Sequence, residues 1–314
     1  MRLALVFAVF LSAAASSAST GEQVPGADIK IDVGLVNLNV RVMDRSGHPV
    51  ANLRREDFQV FEDGIRQTVS HFQPVTAPIR QVLLLDLSGS TFARMEIIMR
   101  AASRFVDALG PDDNIALASF SQRLNLVSDF TRDRSLLKKG IRSLQNKGTL
   151  TRFYDAMWST LDLLDRVQVS RKAIIVMTDG LDNSLMDPQK WPAQHTFQEL
   201  SRRVAEGDSV IYPVYLNTEL DLPYPLKKTI HRAYTKAFEQ IAGLAQQSGG
   251  TLLKAGRIED LEKAYQQVAS ELRTTYSLAY SPIDPARNGA WRRIEVKVDH
   301  HGVTVKTRPG YYAR

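Results

Sequence analysis

A chain of 314 residues, 44% hydrophobic and 24% charged, can bury one large or two modest cores, which excludes a wholly disordered protein. It has no cysteine, so disulfides, thiol catalysis and thiolate metal sites are excluded as well. The net charge of +6 comes from scattered basic residues, with one mild cluster in Arg292, Arg293, Lys297, Lys306, Arg308 and Arg314. No stacking aromatics are interleaved with that cluster, so it reads as a solvated β-surface and nucleic acid is not an expected partner.

The first twenty residues have the parts of a secretory signal. Arg2 precedes the apolar run Leu3 to Leu11, and the small residues from Ser12 to Ala18 follow. The run is short for a membrane span, and no other stretch is long and apolar enough to be one. The expectation is a secreted, periplasmic or cell-envelope protein with no membrane insertion after the signal (1–20) is cleaved.

Residues 24–78 read as a small β domain. Asp28–Val33 and Val36–Val42 alternate apolar with polar residues, the period of half-buried strands. Glu62-Asp63-Gly64 is a turn predicting a hairpin between Phe58–Phe61 and Gln67–Phe72. Pro74 and Pro78 then bracket a linker.

From residue 80 to 273 strands alternate with helices, which predicts an α/β unit with a doubly wound, mostly parallel, Rossmann-like sheet. Val82 to Leu85 is apolar on both faces, as a strand covered by helices on either side must be. An apolar stripe from Met95 to Leu109 follows at helical spacing. Asn114–Phe120 is the next strand, and Asn125–Ser128 is a short antiparallel edge. Asp133 and Thr151 are expected to cap two helices, and Thr196 with Glu199 forms a capping box for a third. Arg171–Met177 and Ser209–Tyr215 are further buried strands, and the loop at 181–195 reads as solvated, with Asp182, Asn183 and Asp187 in it. Trp191 in that loop is either a packed anchor or a partner contact. Residues 274–314 return to β structure and are expected to pack with the N-terminal β domain, because each piece is short for an independent core.

The chemistry is concentrated where two buried strands end. Asp86-Leu87-Ser88-Gly89-Ser90 closes the first, and Thr178-Asp179-Gly180 closes another. Ligand sites in open α/β sheets lie outside the carboxyl ends of strands, so both aspartates belong to one rim. Lys147-Gly148-Thr149, just before a helix, offers a third oxygen source. Hydroxyls and carboxylates are hard donors that suit a hard cation such as magnesium. Helix capping accounts tolerably for the hydroxyls but not for two aspartates ending two buried strands. The six histidines show no metal-ligand spacing, and His300-His301-Gly302 reads as a turn.

In that order, Asp86-x-Ser88-x-Ser90, Gly148-Thr149 and Thr178-Asp179-Gly180 resemble the metal-ion-dependent adhesion site of von Willebrand factor type A domains, over about residues 80–273. The flanking segments Asp57–Gly64 and Arg308–Tyr312 resemble those of a bacterial secreted subfamily. The resemblance implies that Ser88 and Ser90 bind magnesium directly, with manganese or calcium as substitutes. Thr149 would bind directly in an open state, and Asp86 and Asp179 largely through water. Neutral ligands leave such a metal electrophilic, so that a carboxylate from a partner protein can complete its shell.

The function expected is therefore a non-enzymatic binding module for a protein that presents an acidic residue. A structural envelope component with an idle metal site is the first alternative. A magnesium-dependent hydrolase is the second, but it needs a general base or activated nucleophile, and only Lys147 is near a strand's carboxyl end.

Overall fold

The computed structural model describes residues 34–145, 148–167, 171–255 and 258–313. The signal expected at 1–20, the strand expected at 28–33, Lys147 and Arg314 lie outside the described residues.

The chain opens with β1 (Val36–Met43), β2 (Phe58–Glu62), β3 (Ile65–Gln67) and β4 (Val69–Gln73). It continues through β5 (Arg80–Asp86), α1 (Met95–Ala108), β6 (Asn114–Phe120), β7 (Leu124–Thr131), α2 (Arg134–Arg142), α3 (Phe153–Asp165) and β8 (Lys172–Thr178). Next come α4 (Phe197–Glu206), β9 (Val210–Leu216), α5 (Tyr224–Ser248), β10 (Leu253–Ala255) and α6 (Ile258–Leu272). The chain returns to strands in β11 (Thr275–Tyr280), β12 (Trp291–Val298), β13 (Thr304–Lys306) and β14 (Gly310–Tyr312).

The α/β unit holds a six-stranded sheet of order β10-β9-β8-β5-β6-β7, parallel except for the edge strand β7. Alternation along β5 explains its unbroken apolar run. Leu83 and Leu85 face one core with Ile98, Phe105 and Val268, while Val82 and Leu84 face another with Phe153, Met157 and Ile241. Both faces of the strand are dry, and each of these buried side chains contributes about 1.5–3 kcal/mol. The sheet grows from β5 to β6 on one side and to β8 on the other. The connections leaving β5 and β8 therefore diverge, opening a crevice at their carboxyl ends.

The helix caps divide. Asp133 accepts from the amides of Ser135 and Leu136, and the Thr196–Glu199 capping box is formed. Thr151 caps nothing: the residue before α3 is Arg152, which has no side-chain cap bond. The cap comes instead from a distant loop, where Asp182 accepts from the Tyr154 amide at 3.2 Å and Asn183 Oδ1 accepts from the Thr151 amide. Asp182 and Asn183 are thus buried rather than solvated. Asp187 behaves as a local loop residue, accepting from the amides of Gln189 and Lys190. Trp191 is half-buried, with Lys190 Nζ 4.6 Å from its ring centroid.

The remaining strands form two antiparallel four-stranded sheets, β13-β1-β11-β4 and β14-β12-β2-β3. They share a core of Leu38, Val40, Phe58, Val60, Tyr276, Leu278 and Val296, drawn from both ends of the chain. The hairpin at Asp63-Gly64 is real, with φ of 49° and 84° at the turn, but its second arm is only β3. After Thr68 the chain crosses to the opposite sheet, where β4 pairs with β11. That corner carries Val69 and Phe72 into the shared core, which a continuous hairpin arm would not reach.

The basic cluster divides: Arg293 and Lys297 are exposed as a solvated strand face requires, but two of its arginines are not. Arg292 and Arg308 are buried, at 4% and 6% exposure. Arg292 Nη1 donates to Glu62 Oε1 at 2.7 Å, and the Tyr280 and Tyr311 hydroxyls donate to Glu62 Oε2 at 2.6 and 2.9 Å. A buried carboxylate collected this cation and two phenols, because charge inside a core must be paired.

Candidate metal centre

β5 and β8 deliver the two aspartates to the rim. Asp86 is the last residue of β5, Asp179 follows β8, and both are completely buried. The turn after Asp86 is held locally. Asp86 Oδ1 accepts from the Ser88 amide at 3.0 Å, and the Thr91 hydroxyl donates back to the Asp86 carbonyl at 2.8 Å. This leads into a 3-10 helix, Gly89–Arg94, that carries Ser90. Ser88 Oγ and Ser90 Oγ then lie 3.2 Å apart.

Two threonines lock the aspartates from other elements. Thr178 Oγ1 donates to Asp86 Oδ2 at 2.6 Å, so the end of β8 holds the end of β5. Thr218 Oγ1 donates to Asp179 Oδ2 at 2.6 Å, while Asp179 Oδ1 accepts from the Leu181 amide at 3.0 Å. The Ser90 side chain is also close enough to Asp179 to favour its charged form, so Ser88 and Ser90 stand between the two aspartates.

Thr149 joins by its backbone. A Cβ on Gly89 would stand 3.3 Å from the Thr149 carbonyl, so the loop from residue 148 packs directly on the Ser88–Ser90 turn. A Cβ on Gly148 would collide with Ser121 Oγ, which makes glycine necessary beside Thr149. The Thr149 side chain is exposed, and no hydrogen bond joins it to the other four residues.

The electrostatics of the pair are unusual for a core. Burial first, and the Asp179 charge second, push the Asp86 carboxyl up to about 7. Burial likewise raises Asp179 above the carboxylate range, against the side chains of Thr218 and Ser90. Hydroxyl and amide donors therefore do not offset the cost of desolvating two neighbouring charges. No Lys or Arg among the described residues forms an ion pair with either carboxylate. Nor do the described residues bring three or more His, Asp or Glu side chains together as metal ligands. A cation here would need the hydroxyls as ligands, and the surplus negative charge fits one.

Two exposed apolar side chains flank the site. Phe92 follows Ser90 on its 3-10 helix and Leu220 follows Thr218 on another, Thr218–Asp221, and both side chains are exposed. A bidentate pair, Arg94 to Asp221 at 2.8 and 2.9 Å, ties the two helices together.

Sequence reasoning singled out the five candidate residues but not Thr178 and Thr218 as their supports. Thr178 stands beside Asp179 in the motif and could have been included. Thr218 lies 39 residues from Asp179 and has no local signal.

Residues 81–181 match the family model of the von Willebrand factor type A domain, and the chain carries a domain of that family. The human voltage-dependent calcium channel subunit alpha-2/delta-2 is 25% identical over 143 residues, 41% of this chain and 12% of that protein. The minor fimbrium subunit Mfa5 of Porphyromonas gingivalis is 28% identical over 151 residues, 44% of this chain and 12% of that protein. The match therefore spans only about an eighth of these curated relatives. Among solved structures, the von Willebrand factor domain of Mfa5 is 14% identical with a TM-score of 0.47, covering 62% of this chain and 94% of that one. A von Willebrand factor type A protein from Catenulispora acidiphila is 12% identical with a TM-score of 0.49, covering 81% and 73%.

Proposed function

We propose that this protein is a metal-dependent protein-binding module, in which Ser88, Ser90 and Thr149 with Asp86 and Asp179 hold a divalent cation, magnesium by donor chemistry. The observation that carries the reading is the pair of completely buried aspartates, bonded to hydroxyls and, among the described residues, to no cation, at the switch point of the sheet. A bound divalent ion would supply an electrophilic position for a carboxylate of the partner protein.

The chain's own residues do the rest. Thr178 and Thr218 orient the two carboxylates, and the 3-10 helix from Gly89 presents Ser90 beside Ser88. Phe92 and Leu220 offer apolar contact next to the polar centre, the arrangement of an interface core beside a charged anchor. The family and the name of the fimbrial relative Mfa5 support an adhesive or assembly role. A non-enzymatic role is supported by where the histidines lie: His195 pairs with Asp155 and stacks on Trp158, and His231 pairs with Glu219. Neither imidazole is bonded to Asp86 or Asp179. The sequence of residues 1–20 supports export to the periplasm, the cell envelope or the medium. Among the described residues, no helix is long and apolar enough to cross a membrane.

Isothermal titration with magnesium is the direct test. Saturable binding to the wild type, lost in Asp86→Ala, is expected. Equal heats from both proteins would reject the centre. Capture of an acidic partner should then be abolished by chelator and by Ser88→Ala.

A further inference from the structure

Helix α5 is longer than the sheet is deep. Its 25 residues span about 37 Å, whereas the 7 residues of β9 span about 23 Å. The two are aligned at the end remote from the rim, where the Ile211 amide of β9 donates at 2.9 Å to Ser248 Oγ, on the last residue of α5. The surplus length therefore emerges at the rim. Ala237 and Ile241 mark the level of the candidate centre. A Cβ on Gly180, next to Asp179, would stand 3.2 Å from the Ala237 carbonyl and 2.9 Å from Ile241 Cγ2. Residues 224–233 lie beyond that level and include no buried residue.

The projecting turns carry two kinds of side chain. Leu226 and Ile230 continue, at helical spacing, the stripe of Ala237, Ile241 and Leu244 that is buried against the sheet. Beside the sheet that stripe is covered, but beyond the rim Leu226 is 46% exposed and Ile230 half-buried. Next to it around the helix stand Lys227, Lys228 and Arg232, and no acidic residue occurs between Tyr224 and Phe238. His231 pairs with Glu219, whereas none of the three cations has an ion pair among the described residues. Uncompensated positive charge beside an apolar stripe selects a partner by sign, drawing acidic segments and repelling basic ones. A flat bilayer fits less well. The stripe turns toward the rim of the sheet, whereas an interfacial helix lays its apolar face along the lipid.

We propose that the projecting turns of α5 dock an acidic segment of a partner protein, with an apolar side chain on Leu226 and Ile230 and carboxylates along Lys227, Lys228 and Arg232. The leading carboxylate of that segment would reach the candidate centre, and this point alone rests on the metal-binding reading.

Anisotropy titrations with two labelled peptides of about ten residues, enough to cross the projecting turns when extended, test it. One peptide is glutamate alone and the other glutamate with leucine, and each is titrated in chelator and in magnesium. Saturable binding of both is expected in either condition. Lys227→Glu combined with Lys228→Glu and Arg232→Glu should weaken both at least about tenfold, through the reversal of three rim charges. Arg55→Glu combined with Arg66→Glu and Arg293→Glu makes the same charge change on exposed residues of the sandwich. Screening should hold its effect within about twofold. Leu226→Ser should weaken the leucine peptide about fivefold, the loss of one partly buried apolar contact, and leave the glutamate peptide unchanged. Equal weakening by the two triple variants overturns the proposal, because net charge alone then governs binding. So does an unchanged leucine-peptide affinity in Leu226→Ser. Loss of binding to phosphatidylglycerol vesicles in the α5 triple variant, with peptide affinity intact, overturns it in favour of a lipid surface. Magnesium separates the two readings: no tightening by magnesium, with the α5 effects intact, rejects the metal centre and keeps the docking surface.

Discussion

The molecule buries carboxylates in two places and treats them in opposite ways. In the sandwich, Glu62 is surrounded by the Arg292 guanidinium and two phenols, so its charge is answered within the chain. At the rim of the sheet, Asp86 and Asp179 meet only hydroxyls and amides among the described residues, and both carboxyls are driven upward by burial. A charge answered internally holds the two ends of the chain together. A charge that the described residues leave without a cation at a switch point costs stability, and on the proposed reading a bound cation would answer it.

This contrast can be broken from either side. The largest effect is expected in the sandwich, where Glu62→Ala leaves Arg292 buried without its carboxylate and should destabilise by about 3 kcal/mol in urea unfolding. That loss should be the same with and without magnesium. A magnesium-dependent loss would mean that the two regions are not energetically separate.

At the rim the sign reverses. Removing charge with Asp86→Asn should leave the metal-free protein as stable as the wild type or more so, since it relieves repulsion. The wild type should gain about 2.7 kcal/mol at magnesium a hundredfold above its dissociation constant, and the variant nothing. Thermal melts with and without chelator measure both, and a gain retained by the variant would sink the assignment.

The pH dependence follows from the same group. In the folded, metal-free chain the Asp86 carboxyl stands near 7 against an ordinary 3.8, so the folded state binds more protons over that interval. Stability should therefore fall as pH rises from about 4 to 7. Because magnesium must displace that proton, its affinity should rise about tenfold per pH unit up to about 7 and then level off. Titrations at several pH values check this, and a flat affinity would show that Asp86 is ionised before the metal binds. The smallest effect is expected at the remote cap: Asp182→Ala, freeing the Tyr154 amide, should cost about 1 kcal/mol with magnesium affinity little changed.

Much of this was legible in the sequence. Val82 to Leu85 could only be a strand covered on both sides, because its apolar run has no polar face. Asp86 and Asp179 had to share a rim, because parallel strands end on one side. The capping box at Thr196 and Glu199 is local chemistry and was equally plain. What the sequence did not decide were pairings across long separations. Nothing near Thr68 announces that the chain changes sheets there, and nothing near Arg292 announces a carboxylate 230 residues away. Likewise Asp182 looks like a loop residue until the loop is laid against α3, and Thr218 acquires a role only when β9 lies beside β8. Periodicity and turn chemistry act over a few residues, so they fix elements and the ends of elements. The partner of a buried charge is chosen by packing, and packing exists only once the whole chain has folded.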